Sequence, residues 1–499
     1  MKLVNLSIAT AAACLLATSA HAAFKTNDRD VKGSMEVVYT KVPGAVNSIQ
    51  EMFTEGEVYG RVRSNNFWWD NAYNTEASRD GDMYGVGGSL VYKTGFYHGL
   101  GATVGFYGAL PLHNENRRID GRNIGRSGKD TYHTRRDGSE GSMGNFAEAF
   151  LEYKAGKTNV KVGRQGIDSI MLSTNDTKMI PNTFEAAMIE NKDVPDTTIR
   201  AAYIVSQKLR DHQSFHSLIA SGLTTSGDPA INDRTAFNDD SGRHNGITVE
   251  TINARGNGDT DPEMIFFTAT NKSIKGLVLD AEYVGLKGFV QTAIAEANYK
   301  IKLNDTWSLT PGVRYLHQMD DGAGFIGGAA LSGSIRNAAV GTASGGYKDA
   351  RNADSSIIMA RLVLESGPLK LLAGYSKIED AADIIAPWRG FPTGGYTRTM
   401  AQVDWLANTK NSCLRIDYDF DKAGLIPGFK AAAAYEDINQ DEGKGLFDRT
   451  VKQFDFWQTF KSLPNTEFRF RVGMNDAHRP ATGDTESYNE YRFEANYLF

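Results

Sequence analysis

The chain ends in Tyr491-Arg-Phe-Glu-Ala-Asn-Tyr-Leu-Phe499, where Tyr491, Phe493, Ala495, Tyr497 and Phe499 are apolar or small and Glu490, Arg492, Glu494 and Asn496 between them are polar. A period of two puts the two sets on opposite sides of a pleated strand, giving one greasy face and one wet face. A two-faced last strand ending on Phe, in a chain that opens with an export signal, fits the closing strand of a bacterial outer-membrane barrel. Phe499 is read as the signal presented to the barrel assembly machinery. The expected fold is all-β: a transmembrane antiparallel β-barrel of about 18 strands, with long external loops of which one or two fold inward.

The other end agrees. Lys2 supplies a positive start, Leu3 to Ala17 an apolar stretch, and Ala20-His21-Ala22 a small-x-small cleavage site. Residues 1–22 are therefore read as a signal peptide, 23–54 as an N-terminal periplasmic segment and 55–499 as the barrel. Cys14 leaves with the signal, so Cys413 keeps no intrachain partner and no disulfide supports the fold. The 51 Gly, 21 Tyr and 25 Phe are spread along the whole chain, and no linker divides it. One large β unit is expected.

A net charge of −6 argues against a nucleic-acid partner. Mean hydropathy is −0.39, and no run of eighteen apolar residues follows the signal, which excludes a helical membrane protein. A barrel strand needs only alternate apolar residues over about 9 to 11 positions. Such alternation predicts strands at 56–68, 83–94, 100–110, 145–154, 158–165, 183–191, 197–206, 263–273, 277–286, 289–302, 306–317, 356–365, 369–378, 412–420, 429–437, 451–460, 466–474 and 488–499. Short gaps, such as Gly95–Gly99 and Ala155–Lys157, are read as periplasmic turns. The long ones, near 111–144, 166–182, 207–262, 318–355, 379–411 and 475–487, are read as external loops. At 16 to 18 strands a barrel encloses an aqueous channel, so a pore for small hydrophilic solutes is expected.

Polar residues between apolar neighbours are assigned to the lumen. They are Arg61, Arg63, Arg200, Arg314, Arg415, Lys430, Arg469, Arg471 and Arg492. An Arg facing lipid at the bilayer midplane costs about 2 to 4 kcal/mol, which favours the inward side. Lumen acids such as Asp417, Asp419, Glu436, Glu490 and Glu494 could neutralise them and merely stiffen the wall. A row of arginines on neighbouring strands would instead pass a carboxylate from fork to fork, favouring anionic solutes.

Three stretches, Val160-Lys-Val-Gly-Arg164 with Lys178-Met-Ile-Pro-Asn-Thr-Phe-Glu185, Asp305-Thr-Trp-Ser-Leu309 with Val313-Arg-Tyr315 and Asp320-Asp-Gly-Ala323, and Arg415-Ile-Asp-Tyr-Asp-Phe420 with Gly424-Leu-Ile-Pro-Gly428, resemble in order and spacing the OprD family of outer-membrane porins. The resemblance implies an eighteen-stranded diffusion channel in the outer membrane, monomeric or a loose homotrimer. It also implies a constriction by the third and seventh loops against a basic ladder, and small, often carboxylate-bearing solutes. The third loop would be 166–182, with Asp176, Lys178 and Asn182, and the seventh 379–411, with Trp388, Arg389 and Tyr396. Only Arg314 and Arg415 of the ladder lie inside matching motifs. The segment 24–54 and the long loop 207–262 depart from the family pattern.

Other motifs carry little. Gly99-Leu-Gly-Ala-Thr-Val-Gly105 lacks the helix that a phosphate loop requires. Arg117, Arg118, Arg122, Arg126, Lys129, Arg135 and Arg136 are interleaved with five acids, as on a solvated or lipopolysaccharide-facing loop. Asp259-Thr-Asp261 and Asp441-Glu442 lack calcium-loop spacing, and the histidines show no HExxH pattern, so neither a metal, a cofactor nor an enzyme activity is expected. Two alternatives share the fold: a non-conducting structural or adhesive barrel, and an outer-membrane hydrolase.

Overall fold

Alternating sequence becomes a closed wall of eighteen strands in the computed structural model. The first six are β1 (Glu57–Asn71), β2 (Gly81–Lys93), β3 (Leu100–Asn114), β4 (Met143–Ala155), β5 (Thr158–Gln165) and β6 (Thr183–Asn191). Then come β7 (Thr197–Lys208), β8 (Met264–Asn271), β9 (Leu277–Leu286), β10 (Val290–Tyr299), β11 (Trp307–Asp320) and β12 (Ser355–Ser366). The last are β13 (Leu369–Ile378), β14 (Lys410–Asp419), β15 (Phe429–Asn439), β16 (Arg449–Phe460), β17 (Leu463–Ala477) and β18 (Tyr488–Leu498). Neighbours pair antiparallel, and β18 returns to β1 in a register running from Tyr488 opposite Asn71 to Leu498 opposite Arg61. The structure describes residues 29–72, 80–114, 142–210, 215–219, 259–330, 345–401, 405–477 and 487–499, with short pieces at 118–119, 122–123, 133–134, 140–141, 220–221, 247–248 and 252. The signal segment, most of the arginine-rich loop before β4 and most of 207–262 lie outside them.

Every predicted strand is present, and several run further toward the loop side than alternation alone indicates. β1 continues to Asn71 and β3 to Asn114, where Trp68, Tyr84 and His113 lie within ring contact of one another in turn. Ladder pairing and cross-strand aromatics extend the wall beyond the apolar belt. The gap between the strands expected at 451–460 and 466–474 shrinks, because Phe460 already pairs with Leu463. Val58, Val62, Val104, Leu151, Val162, Val313, Tyr315, Ile358 and Leu414 form part of the outward apolar belt. No helix among the described residues is long and apolar enough to cross a membrane. The wall crosses with strands.

The lumen differs from a simple water-filled tube. Apolar inner-face residues of β6 to β12, among them Phe184, Phe266, Val284, Leu316 and Ile357, join Ile167, Met171, Leu172, Leu218, Ile219, Ile384, Ile385, Trp388 and Trp405 from loops in one buried cluster. These strands are apolar on both faces because one faces lipid and the other faces inward-folded loops. Each such large side chain contributes about 1.5–3 kcal/mol by leaving water, so the loops are held by a core of their own. The polar inner faces are concentrated on β14 to β18 and β1, where Arg61, Arg63, Glu436, Asp455, Arg469, Glu490, Arg492 and Glu494 point inward.

Candidate translocation pathway

The third loop, residues 166–182 between β5 and β6, crosses the barrel. At one side Ser169 Oγ and the backbone N–H groups of Ile170 and Met171 all donate to the Glu282 carboxylate of β9, at 2.8, 2.8 and 3.0 Å. At the other side Asp176 accepts from Arg61 Nη1 at 2.8 Å and Arg63 Nη1 at 3.1 Å, both on β1. All three side chains of that second anchor are buried, so the pairing is a fixed joint rather than a surface contact. Asn182 Nδ2 donates to Ser173 O at 3.0 Å and braces the loop internally, while Lys178 lies 4.1 Å over the Phe67 ring.

The seventh loop, 379–409, completes the diaphragm. Leu172 and Arg389 form an antiparallel bridge, Ser173 N–H donates to Trp388 O and Gly390 N–H to Met171 O, both at 3.1 Å. A Cβ at Gly390 would sit 2.1 Å from Met171 backbone carbon, so the two loops meet at a distance only glycine permits. Trp388 and Arg389 are wholly buried, and Trp388 Nε1 donates to Leu218 O at 3.0 Å. Tyr396 is clamped between the guanidinium groups of Arg314 and Arg361, at 4.7 and 4.6 Å. Arg314 pairs with Glu296 and donates to Pro392 O and to Gly394 O (3.2 Å), and Arg361 donates to Gly395 O at 2.8 Å. Arg314 thus faces the back of the seventh loop.

The inner face of β14 to β18 carries most of the remaining inward basic side chains. Three arginines of that face converge on Asp455: Arg471 at 2.7 Å, Arg415 at 3.4 Å and Arg469 at 3.7 Å. Arg415 also takes Asp417 at 2.7 Å, and Arg492 takes Glu490 at 2.6 Å. Lys430 stands at the rim with Asp419, 3.2 Å away. Arg200 lies elsewhere, under the third loop, donating to Asp168 O at 3.0 Å. Of the nine basic residues expected in the lumen, Arg415, Arg469 and Arg471 are therefore gathered round one carboxylate, Arg61 and Arg63 anchor the third loop, and Arg314 holds the seventh.

Several residues of this arrangement were not singled out in the sequence. Asp455 was legible, since it sits between Phe454 and Phe456 with the parity that marks the inner face. Arg361, Glu282 and Glu296 lie in strands whose inner faces are otherwise largely apolar, and nothing local announces their loop partners. No group of His, Cys, Asp and Glu side chains that could hold a metal occurs among the described residues.

The N-terminal segment contributes as well. Residues Arg29–Val31 and Val37–Tyr39 pair as a small hairpin whose tip meets Arg61, Arg469 and the third loop. Farther on, Ala45–Val46 pair with Phe96–Tyr97, and a short helix, α1 (Ile49–Thr54), capped by Ser48, leads into β1.

No curated protein sequence matches the chain. Among solved structures it is similar to OccK9 (OpdG) of Pseudomonas aeruginosa, with a TM-score of 0.68 at 16% identity over 90% of this chain and 99% of that one. It is similar too to OccAB3 of Acinetobacter baumannii, at 0.66, 17%, 89% and 99%. OpdK of Pseudomonas aeruginosa, in a crystal structure with vanillate, gives 0.63, 14%, 89% and 98%. The model of the outer membrane porins of the OprD family matches residues 53–499, which takes in every strand of the wall and both loops of the diaphragm. The chain belongs to the OprD family of outer-membrane porins.

Proposed function

We propose that the protein is a diffusion channel for small hydrophilic solutes that favours anionic, carboxylate-bearing ones. The observation that carries this reading is the convergence of Arg415, Arg469 and Arg471 on the single carboxylate of Asp455. Three forks meeting one acid offer more donors than it can accept, and a second carboxylate entering between them finds charge-assisted partners already in place. Net charge of the whole chain matters little here, because fields from loop acids are screened over about 8 Å at physiological salt. A fold relative crystallised with vanillate, an aromatic carboxylate, is consistent with this solute class. In planar bilayers the expectation is a discrete conductance step with a reversal potential displaced toward anions. Replacing Arg415 and Arg471 by Ala should lower benzoate flux more than the flux of a neutral sugar of equal size. Equal losses would leave only a steric role for these arginines. Absence of any step from folded protein would favour the plugged, non-conducting alternative, which the apolar loop core in the outer lumen supports.

A further inference from the structure

The hairpin Arg29–Val31/Val37–Tyr39 lies ahead of the region that matches the family, and its tip is inside the barrel. The turn Lys32-Gly-Ser-Met-Glu36 is closed by Lys32 N–H to Glu36 O and Met35 N–H to Lys32 O, both 2.9 Å. Met35 is fully buried with φ at +63°, a left-handed backbone that a non-glycine residue keeps only where its surroundings over-determine it. Those surroundings are donors. Three consecutive turn carbonyls are taken up, Gly33 O by Arg469 Nη1 at 3.0 Å, Ser34 O by Asp176 N–H at 2.8 Å and Met35 O by Arg61 Nη1 at 2.7 Å. Lys32 Nζ adds Asp168 of the third loop at 2.9 Å, and Arg29 ties the hairpin base to the carbonyls of Gly60 and Phe499 at the barrel seam.

We propose that this hairpin is a gate built into the chain: its turn carbonyls occupy guanidinium donors of the permeation path, and its withdrawal toward the periplasm widens that path and frees Arg469 for solute carboxylates. The inference rests on the channel reading. Two features beyond the contacts support it. The hairpin divides the periplasmic half of the lumen, with a cavity of about 250 Å³ on the side of β2 to β6 and an open vestibule of about 590 Å³ on the side of β13 to β17. The anchors at its tip named above are hydrogen bonds and ion pairs, which an incoming carboxylate can replace one for one, rather than an apolar core that would lock it.

The test compares the full chain with a variant lacking residues 29–39 in planar bilayers, in potassium chloride and then in sodium benzoate. The deletion should raise single-channel conductance several-fold and increase anion preference. If the deleted chain inserts poorly, Lys32→Ala with Glu36→Ala, which alters only the hairpin, should shift conductance the same way by less. In a Cys413→Ala background, Met35→Cys should react slowly with a charged methanethiosulfonate and faster when benzoate is present. Equal conductance of folded full-length and deleted chains, or fast labelling indifferent to benzoate, would overturn the gate alone. Silence from every chain would overturn the channel reading and the gate with it.

Discussion

Gly60 and Phe499 exchange both backbone hydrogen bonds, at 2.7 and 3.0 Å, and the Phe499 ring lies over the place where Gly60 has no side chain. Gly60 falls between inward Tyr59 and Arg61, so the ring covers the outer face of the seam where β18 meets β1. It stacks on Tyr497 with ring centres 6.0 Å apart, extending the apolar row of the last strand to its end. The terminal residue thereby completes the closing ladder as well as its lipid face.

Gly60→Ala is expected to open this seam. The new Cβ would lie 2.1 Å from Phe499 Cζ, and overpacking of this kind costs about 1–3 kcal/mol even where neighbours can shift. Deleting Phe499 removes the same contact from the other side, together with the residue read from the sequence as the assembly signal. Both variants should lose the heat-modifiable band of a folded barrel on electrophoresis and accumulate in the periplasm. Gly44→Ala, with nothing within 4 Å of the added methyl, is the control and should insert normally. Normal insertion of Gly60→Ala would mean that the seam tolerates a displaced ring.

The wall was legible because it obeys one rule: where lipid lies on one side and polar lumen on the other, alternation is enforced residue by residue, as in Phe468-Arg-Phe-Arg-Val472. The rule fails where loops fill the barrel. Phe266 and Phe267 are adjacent and point to opposite faces, one into the loop core and one outward, so the stretch reads as a uniform apolar run. The roles of arginines were hidden for a related reason. Parity says that Arg314 points inward, but only the three-dimensional path of residues 392–394 says what it meets there. The hairpin escaped notice because each arm has three residues, and its partners Arg61, Asp176 and Arg469 are up to 436 positions away.

Arg314 and Arg415 should therefore behave differently when each is replaced by Ala. Arg314→Ala removes the clamp on the seventh loop and leaves Glu296 with Arg361 at 3.3 Å as its remaining ion pair. Breaking a buried pair typically costs about 3–5 kcal/mol, and the surviving Arg361 contact places this case at the lower end. Loosening of the loop should raise the flux of neutral sugars and carboxylates alike, with noisier single-channel records. Arg415→Ala should instead depress carboxylate flux selectively. Liposome swelling with both solute classes distinguishes the two, and identical profiles would remove the distinction drawn between loop anchor and ladder.

Asp455→Asn tests the ladder from the acid side. The carboxylate is almost fully buried among Arg415, Arg469 and Arg471, and Gln453 Nε2 also donates to it at 2.7 Å. Neutralising it leaves three guanidinium groups with one acid fewer, so the reversal potential should move further toward anions while the folded barrel becomes easier to unfold. An unchanged reversal potential would place Asp455 off the path.

The final prediction concerns pH and the hairpin. Burial, together with the hydrogen bond and charge of Asp168, pushes the Glu36 carboxyl up to about 8, while Asp168 is held below its usual range by its bonds to Glu36, Lys32 and Thr174 N–H. The docked pair thus keeps one proton, carried on Glu36, with Lys32 Nζ touching both acids at 2.8 and 2.9 Å. Lys93, Lys161, Glu148 and Asp176 line the same cavity and set its background charge. Once undocked, Glu36 returns to the ordinary value near 4.5. The docked state therefore binds more protons than the undocked one, and docking is fully supported below about 4.5 and loses that support as pH rises through about 8. Single-channel conductance should accordingly be low and steady in mild acid and rise between neutral pH and pH of about 9. Glu36→Gln keeps the hydrogen bond but cannot ionise, so it should flatten the profile at the low-conductance level. A profile that rises equally in Glu36→Gln would assign the pH response to lumen groups other than this pair.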